Sequence, residues 1–277
     1  TRKFKTLWDA KYINNQAGTQ EVKELLDSDA MSYPKPSGLL EDACRLGCPD
    51  DGVVLDFFAG SCTTAHAVLN LNLQDNMRRR FIMAQLPEPT NRNDYRTIAD
   101  IGKERIRRVI KKLEEERVAK AKEAQNLLIK DAEDTPEPDL GFKVFKLDAS
   151  NIKPWDADFD NLETALFDAV DNIKPERSEA DVLYELLLKY GLDLAVPIEE
   201  RKIAGKSVYI IGAGALIVCL AKEISLEVVE GIAALKDELR PEVMRVVFKD
   251  SGFADDVVKT NAVQILRQAE IEDVKSL

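Results

Sequence analysis

The chain has 277 residues, 45% hydrophobic and 32% charged, with a formal net charge of −11. That length holds one large or two modest domains, and no apolar run reaches the roughly 18 residues that a membrane-spanning helix needs. Residues 1–130 carry 22 Lys and Arg against 19 Asp and Glu, whereas residues 131–277 carry 17 against 31, so a DNA-binding surface is not expected on the second half.

Residues 1–35 read as irregular, with a helix near Gln20 to Leu26, and Ser37 to Leu46 reads as a helix. Val53 to Phe58 is a nearly unbroken apolar run ending beside an acid, the pattern of a strand buried in a parallel sheet. Gly60 permits a sharp turn. Ser61, Thr63 and Thr64 are good helix starters, and a helix is expected over 62–73. A second strand is expected over 80–86, stopped by Pro87-Glu88-Pro89. Ligands of open α/β sheets bind beyond the carboxyl ends of strands, against such a turn and helix N-terminus. A plain strand-turn-helix without a ligand has the same spacing.

From Thr97 to Lys130 a long helix is expected, because Ile98, Ile101, Ile106, Val109, Ile110 and Leu113 recur at helical spacing. Residues 131–139 are acidic, proline-punctuated and free of large apolar side chains, which marks a linker between domains at 1–130 and 140–277. Phe142 to Leu147 alternates as a strand. Leu162 to Val170 and Ser178 to Tyr190 read as helices, the latter with Ser178 as N-cap. Ile203, Val208 to Ile211 and Leu216 to Leu220 read as antiparallel strands. Leu226 to Leu235 is a helix, Arg245 to Phe248 a strand, and Ala254 to Gln268 a closing helix.

Gly212-Ala213-Gly214-Ala215 invites a dinucleotide-binding reading, but no third glycine follows at the right spacing and the next residues are β-type; a hairpin turn is expected. Cys44, Cys48, Cys62 and Cys219 are few and unpatterned, and read as reduced cytosolic thiols rather than metal ligands. His66, the one histidine, reads as a packing or surface residue. Arg78-Arg79-Arg80 and the group Lys103, Arg105, Arg107, Arg108, Lys111 and Lys112 are candidate phosphate contacts, with a solvated helix or loop face the commoner reading.

Asp56-Phe57-Phe58-Ala59-Gly60-Ser61-Cys62-Thr63-Thr64 resembles the D-x-F-x-G-S-G-T-T cofactor motif of permuted (beta-class) DNA methyltransferases. Tyr33-Pro34-Lys35-Pro36 resembles the K-P turn that precedes it. Phe81 to Thr90, Thr97 to Ile106, Val246 to Phe253, Lys259 to Ala262 and Asn14 to Thr19 resemble the modification (Mod) subunit of type III restriction-modification systems, in the same order. The resemblance implies an α/β chain: a partial Rossmann-like methyltransferase fold, its cofactor-binding half, followed by a smaller acidic α+β C-terminal domain. It implies S-adenosylmethionine as cofactor, with Asp56, Phe57, Phe58, Ala59, Gly60, Ser61, Cys62, Thr63 and Thr64 in its pocket. Lys35 and Pro36 would flank the methionine end, and Gln85 and Leu86 would lie near the ribose and adenine, with Glu88 able to supply the acid usual at the ribose.

The chain departs from the family pattern twice. Cys62 stands where the motif has its second glycine, where a Cβ and sulfur would crowd the cofactor or change the turn. The catalytic Asp/Asn-Pro-Pro-Tyr/Phe tetrapeptide, which lies upstream in this class, has no counterpart: no Pro-Pro pair occurs in the chain. No catalytic residue is therefore assigned. The chain looks like the C-terminal portion of a DNA adenine-N6 methyltransferase Mod subunit, inactive alone. The implied partners are DNA, through the intact protein, the restriction (Res) subunit and a second copy in a homodimer, in the cytoplasm. Alternatively, the chain is a non-catalytic assembly or dimerisation module of the same complex. A nicotinamide-dependent oxidoreductase is disfavoured by the motif's wording. Two strands alone have open edges, so the strands at 53–58 and 80–86 are expected to need upstream strands or self-association.

Overall fold

The computed structural model describes residue 8 and residues 10–26, 29–126, 139–153 and 172–277. Residues 131–138 of the expected linker at 131–139, and the helix expected over Leu162 to Val170, lie outside the described residues. The chain divides into two compact units, 1–142 and 143–277.

In the first unit, α1 (Asn15–Leu26) begins five residues earlier than its pattern suggests. It leads to α2 (Ser37–Gly47), β1 (Val53–Asp56), α3 (Thr63–Asp75), β2 (Arg80–Met83) and α4 (Ile98–Asn126). β1 and β2 pair in parallel, Val53 opposite Arg80 and Asp56 opposite Met83. Both strands are shorter than expected, although pairing continues loosely past them: Ala84 N–H donates to Asp56 O at 2.8 Å and Ala59 N–H to Ala84 O at 3.2 Å. Thr63 to Leu69 of α3 are all buried. This helix is wrapped by the sheet, by α2 through Cys44, and by Ile106, Val109 and Leu113 of α4. Val22 and Leu26 of α1 pack with Ala30 and with Ile101 of α4.

The two faces of the β1–β2 pair differ. Val54, Phe81 and Met83 face the helices. Leu55 and Ile82, which pair with one another, are 60% and 56% exposed, and Val53 beside them is also exposed. Apolar alternates on the open face of a parallel sheet are unusual, since parallel strands are normally covered on both sides.

The second unit holds α5 (Glu179–Lys189), β3 (Ile198–Ile203), β4 (Lys206–Ile211), β5 (Leu216–Cys219), α6 (Leu226–Leu239), β6 (Arg245–Phe248), α7 (Asp256–Gln268) and β7 (Asp273–Ser276). The strands form one sheet in order β3-β4-β5-β6-β7. β3, β4 and β5 are antiparallel, whereas β5, β6 and β7 are parallel with α6 and α7 as crossovers. One face packs Ile217, Val246 and Phe248 against Val229, Ile232 and Leu266; the other packs Ile211, Val218 and Val247 against Leu183 and Leu187 of α5. Both faces are covered, which explains why all four residues of β5 are buried.

The Gly212–Ala215 segment joins β4 to β5 as a hairpin, with Ile211 opposite Leu216 and positive φ at Gly212, Ala213 and Gly214. Ser178 caps α5 with a reciprocal capping box to Asp181. Ser178→Ala is expected to cost about 1 kcal/mol in urea denaturation. Two expectations change. Phe142 to Leu147 is not a strand: Phe145 stacks edge-on against Tyr184 of α5 at 4.8 Å, and Lys143 Nζ donates to Leu194 O. β7 was not foreseen. Among the described residues, no helix is long and apolar enough to cross a membrane.

Candidate functional site

The Asp56–Thr64 turn leaves the carboxyl end of β1 and enters α3. Its shape is fixed from both ends by Asp56. Oδ1 accepts the N–H of Phe58 (3.1 Å), and Oδ2 accepts the Thr64 hydroxyl (2.6 Å). Between these anchors Gly60 takes φ +53, a left-handed conformation that glycine adopts without penalty. The Gly60 N–H donates to Gln85 Oε1 at 2.8 Å, so the segment after β2 clamps the turn that follows β1. Gln85 Nε2 is in turn held by Leu86 O at 3.2 Å.

The turn separates an open lip from a buried floor. Phe57 and Phe58 are 65% and 82% exposed with ring centroids 5.1 Å apart, and Leu86 is also exposed. Ala59, Ser61, Cys62, Thr63 and Thr64 are buried. Beneath them lies Arg105 of α4, with 0% exposure. Its Nη1 donates to Ser61 Oγ (2.9 Å) and Thr63 Oγ1 (2.8 Å), and its Nη2 to Glu21 Oε1 (3.0 Å). His66 Nδ1 lies 2.6 Å from the same Glu21 oxygen. A carboxylate only accepts, so the proton of that short contact sits on the imidazole nitrogen.

Glu21 joins two motifs that are distant in sequence. Its Oε2 accepts the N–H of Ser37 at 2.9 Å, at the start of α2 just after Lys35 and Pro36. Pro36 is buried and serves as the N-cap position of α2, whereas Lys35 is exposed. The Lys35–Pro36 turn and the Asp56–Thr64 turn are thus linked through one carboxylate and one guanidinium. Burial pushes the Glu21 carboxyl up, but the hydrogen bond and charge of His66, the charge of Arg105 and the Ser37 N–H outweigh it and hold it at about 2.

Cys62 adopts a left-handed backbone (φ 57, ψ 40) at the head of α3. Its sulfur is turned towards α4, where it meets Gly102, and not towards the open lip. Burial pushes its thiol up to about 11, so it stays protonated near neutrality and is a poor nucleophile. The side chain at this position thus packs against α4.

The candidate phosphate contacts sort differently. Arg79 is buried, with Nη1 2.9 Å from Asp75 and Nη2 3.3 Å from Asp50. Arg105 is buried as described. Lys103 pairs with Asp100, Arg107 and Arg108 with Glu104, Lys111 with Glu115 and Lys112 with Glu116, all three or four residues apart along α4. Arg79 and Arg105 are therefore structural, and the α4 cluster is a self-paired helix face. His66 is a buried polar partner of Glu21. Glu21, Gln85 as a clamp, Gly102 and Arg105 as a floor were missed. The signal for the last two was present: Gly102 and Arg105 interrupt the apolar stripe of Ile101, Ile106 and Val109, and Arg105 lies four residues from both Ile101 and Val109.

Residues 1–115 match a family model described as DNA methylase, of the N6/N4 methyltransferase kind. The chain is 34% identical over 164 residues to the Mod subunit of the type III restriction-modification enzyme StyLTI of Salmonella typhimurium, covering 57% of this chain and 22% of that one. It is 41% identical over 118 residues to the EcoPI Mod subunit of Escherichia phage P1, covering 40% and 18%. With the EcoP15I Mod subunit of Escherichia coli it shares 31% identity over 202 residues, covering 70% and 27%. The chain thus spans less than a third of the length of each of these relatives. By these matches the chain is Mod-like, a relative of the modification subunits of type III restriction-modification enzymes, with its DNA methylase match over residues 1–115.

Proposed function

We propose that residues 1–130 are the cofactor-binding half of an S-adenosylmethionine-dependent DNA adenine-N6 methyltransferase. On this reading residues 140–277 form an acidic domain that serves assembly with Res and a second Mod copy. The observation that carries it is the turn itself. Asp56, Gly60 and Thr64 form a hydrogen-bonded loop beyond the carboxyl ends of two parallel strands, at the head of a helix.

The residues present fit such a cofactor. Phe57 and Phe58 offer an exposed aromatic lip, and Gly60 has open space beside it, since a Cβ there would meet nothing closer than Met31 Cε at 3.6 Å. The cofactor supplies an electrophilic methyl group on a sulfonium. The chain's part is to bind and orient it, with Asp56 to Thr64 as pocket and Lys35 and Pro36 at the methionine end. Leu86 would lie near the adenine. Gln85 has its carbonyl oxygen committed to Gly60, which leaves exposed Glu88 as the acid for the ribose hydroxyls. Flipping the target base costs a few kcal/mol, and the residues that hold it are not among these; no Pro-Pro pair is present. DNA, Res and the methyl transfer itself therefore belong to the intact Mod protein.

Calorimetric titration with S-adenosylmethionine and S-adenosylhomocysteine tests the reading. Saturable binding is expected for the wild-type chain and for Cys62→Gly. Gly60→Val, which forces a β-branched residue into a left-handed φ, is expected to abolish it. A folded wild-type chain that binds neither ligand overturns the reading. A second reading, assembly without cofactor binding, is favoured by the exposed Val53, Leu55 and Ile82 and the open edges of the β1–β2 pair. Light scattering after size exclusion tests it. A dimer or larger species supports association, and a well-behaved monomer counts against it.

A further inference from the structure

Two residues in contact each make a locally unfavourable choice. Cys62 holds a left-handed backbone, φ 57, which is unfavourable for an L-residue with a Cβ. Gly102 sits inside a 29-residue helix, where glycine is a poorer helix former than alanine. The two explain one another. A Cβ on Gly102 would lie 2.5 Å from Cys62 Sγ, 3.3 Å from Gly60 O and 3.5 Å from Cys62 Cβ. The helix is cleared where the turn's sulfur and the carbonyl of residue 60 press against it. One turn further along α4, Arg105 holds the hydroxyls of Ser61 and Thr63.

We propose that Gly102 is a positioning residue for the cofactor turn, matched to Cys62, so that α4 sets the shape of the loop a ligand meets. This rests on the reading of the turn as an S-adenosylmethionine site. Alanine at 102 would drive the sulfur back and displace Gly60. The sulfur is the end of a short side chain that is only 6% exposed, within a buried cluster that includes Ala59, Ala65 and Ile106, so little room is left for its retreat.

The test is a double-mutant cycle of Gly102→Ala and Cys62→Gly, run at a temperature where circular dichroism shows every variant folded. S-adenosylmethionine affinity is measured by calorimetry, and the alkylation rate of Cys62 by iodoacetamide with peptide mapping. Gly102→Ala is expected to weaken binding at least tenfold and to speed Cys62 alkylation at least fivefold. The double variant is expected to bind within threefold of Cys62→Gly alone. Rescue by deleting a side chain elsewhere is not what a general loss of stability would give. Unchanged affinity in Gly102→Ala, or no rescue in the double variant, overturns the positioning role. If the wild-type chain binds no cofactor, the functional reading fails with the positioning role, and the alkylation rates still decide the packing: no acceleration overturns the Cys62–Gly102 match.

Discussion

Arg105→Met is expected to remove about 3 kcal/mol or more from the stability of the first unit. Breaking a buried ion pair by deleting one partner typically costs about 3–5 kcal/mol, because the other charge is left uncompensated. The lower end applies here, since Glu21 keeps His66 and the Ser37 N–H as partners. Two hydroxyls, Ser61 Oγ and Thr63 Oγ1, also lose their donor. Methionine fills similar volume, so the loss reports the polar network and not a cavity. Arg105→Lys keeps a charge but cannot reach three separated oxygens with a planar fork, and only partial recovery is expected. Urea denaturation followed by far-ultraviolet circular dichroism measures both, on the transition of the first unit. A Met variant as stable as wild type would mean that the buried guanidinium contributes nothing beyond its bulk.

The same network makes the first unit acid-sensitive. Glu21 is held at about 2 in the folded chain against an ordinary value of 4.5. A lowered folded value means that its contribution is complete above about pH 4.5 and is lost as pH falls towards 2. At 1.36 kcal/mol per unit this is worth about 3 kcal/mol over that window. Arg105→Met removes one of the groups that hold Glu21 down, so the loss in that variant is expected to be smaller, to begin at the same pH and to be complete at a higher one.

The strand-turn-helix was legible because its signals are local: an apolar run, a glycine with positive φ, and hydroxyls at a helix start. The Gly212–Ala215 hairpin was legible for the same reason. Tertiary contacts decided the rest. Phe142 to Leu147 alternates like a strand, yet Phe145 finds an aromatic partner on α5 and Leu147 stays 96% exposed. Asp273–Ser276 is short and carries one apolar residue, so only its parallel pairing with β6 makes it a strand. Arg105 read as one basic residue among several on a helix. Its place in the apolar stripe of α4 signals its burial, but its partner Glu21 lies 84 positions away in sequence, and no periodicity within α4 reveals a partner on α1.

The approach of α1 to the Lys35–Pro36 turn yields the other large effect. Gly18 lies in α1, and a Cβ there would sit 2.3 Å from Pro34 O, 2.8 Å from Pro36 N and 2.9 Å from Lys35 C. All three are backbone atoms, in a segment whose two prolines fix φ, so none of them can step aside as a side-chain tip would. Gly18→Ala must instead lift α1 off the turn by something near 1 Å. Glu21, three residues along the same helix, moves with it, away from Ser37, Arg105 and His66 at once. Alanine's better helix propensity, worth about 1 kcal/mol, acts in the opposite direction and is expected to be overwhelmed: the net loss should be about 3 kcal/mol. Gly47→Ala at the end of α2 is the control, because a Cβ there meets nothing within 4 Å, and it should be neutral or slightly stabilising. Urea denaturation of the two variants side by side separates the close approach from helix propensity. If Gly18→Ala behaves like Gly47→Ala, α1 is not seated on the Lys35–Pro36 turn, and the link through Glu21 between the two motif turns is wrong.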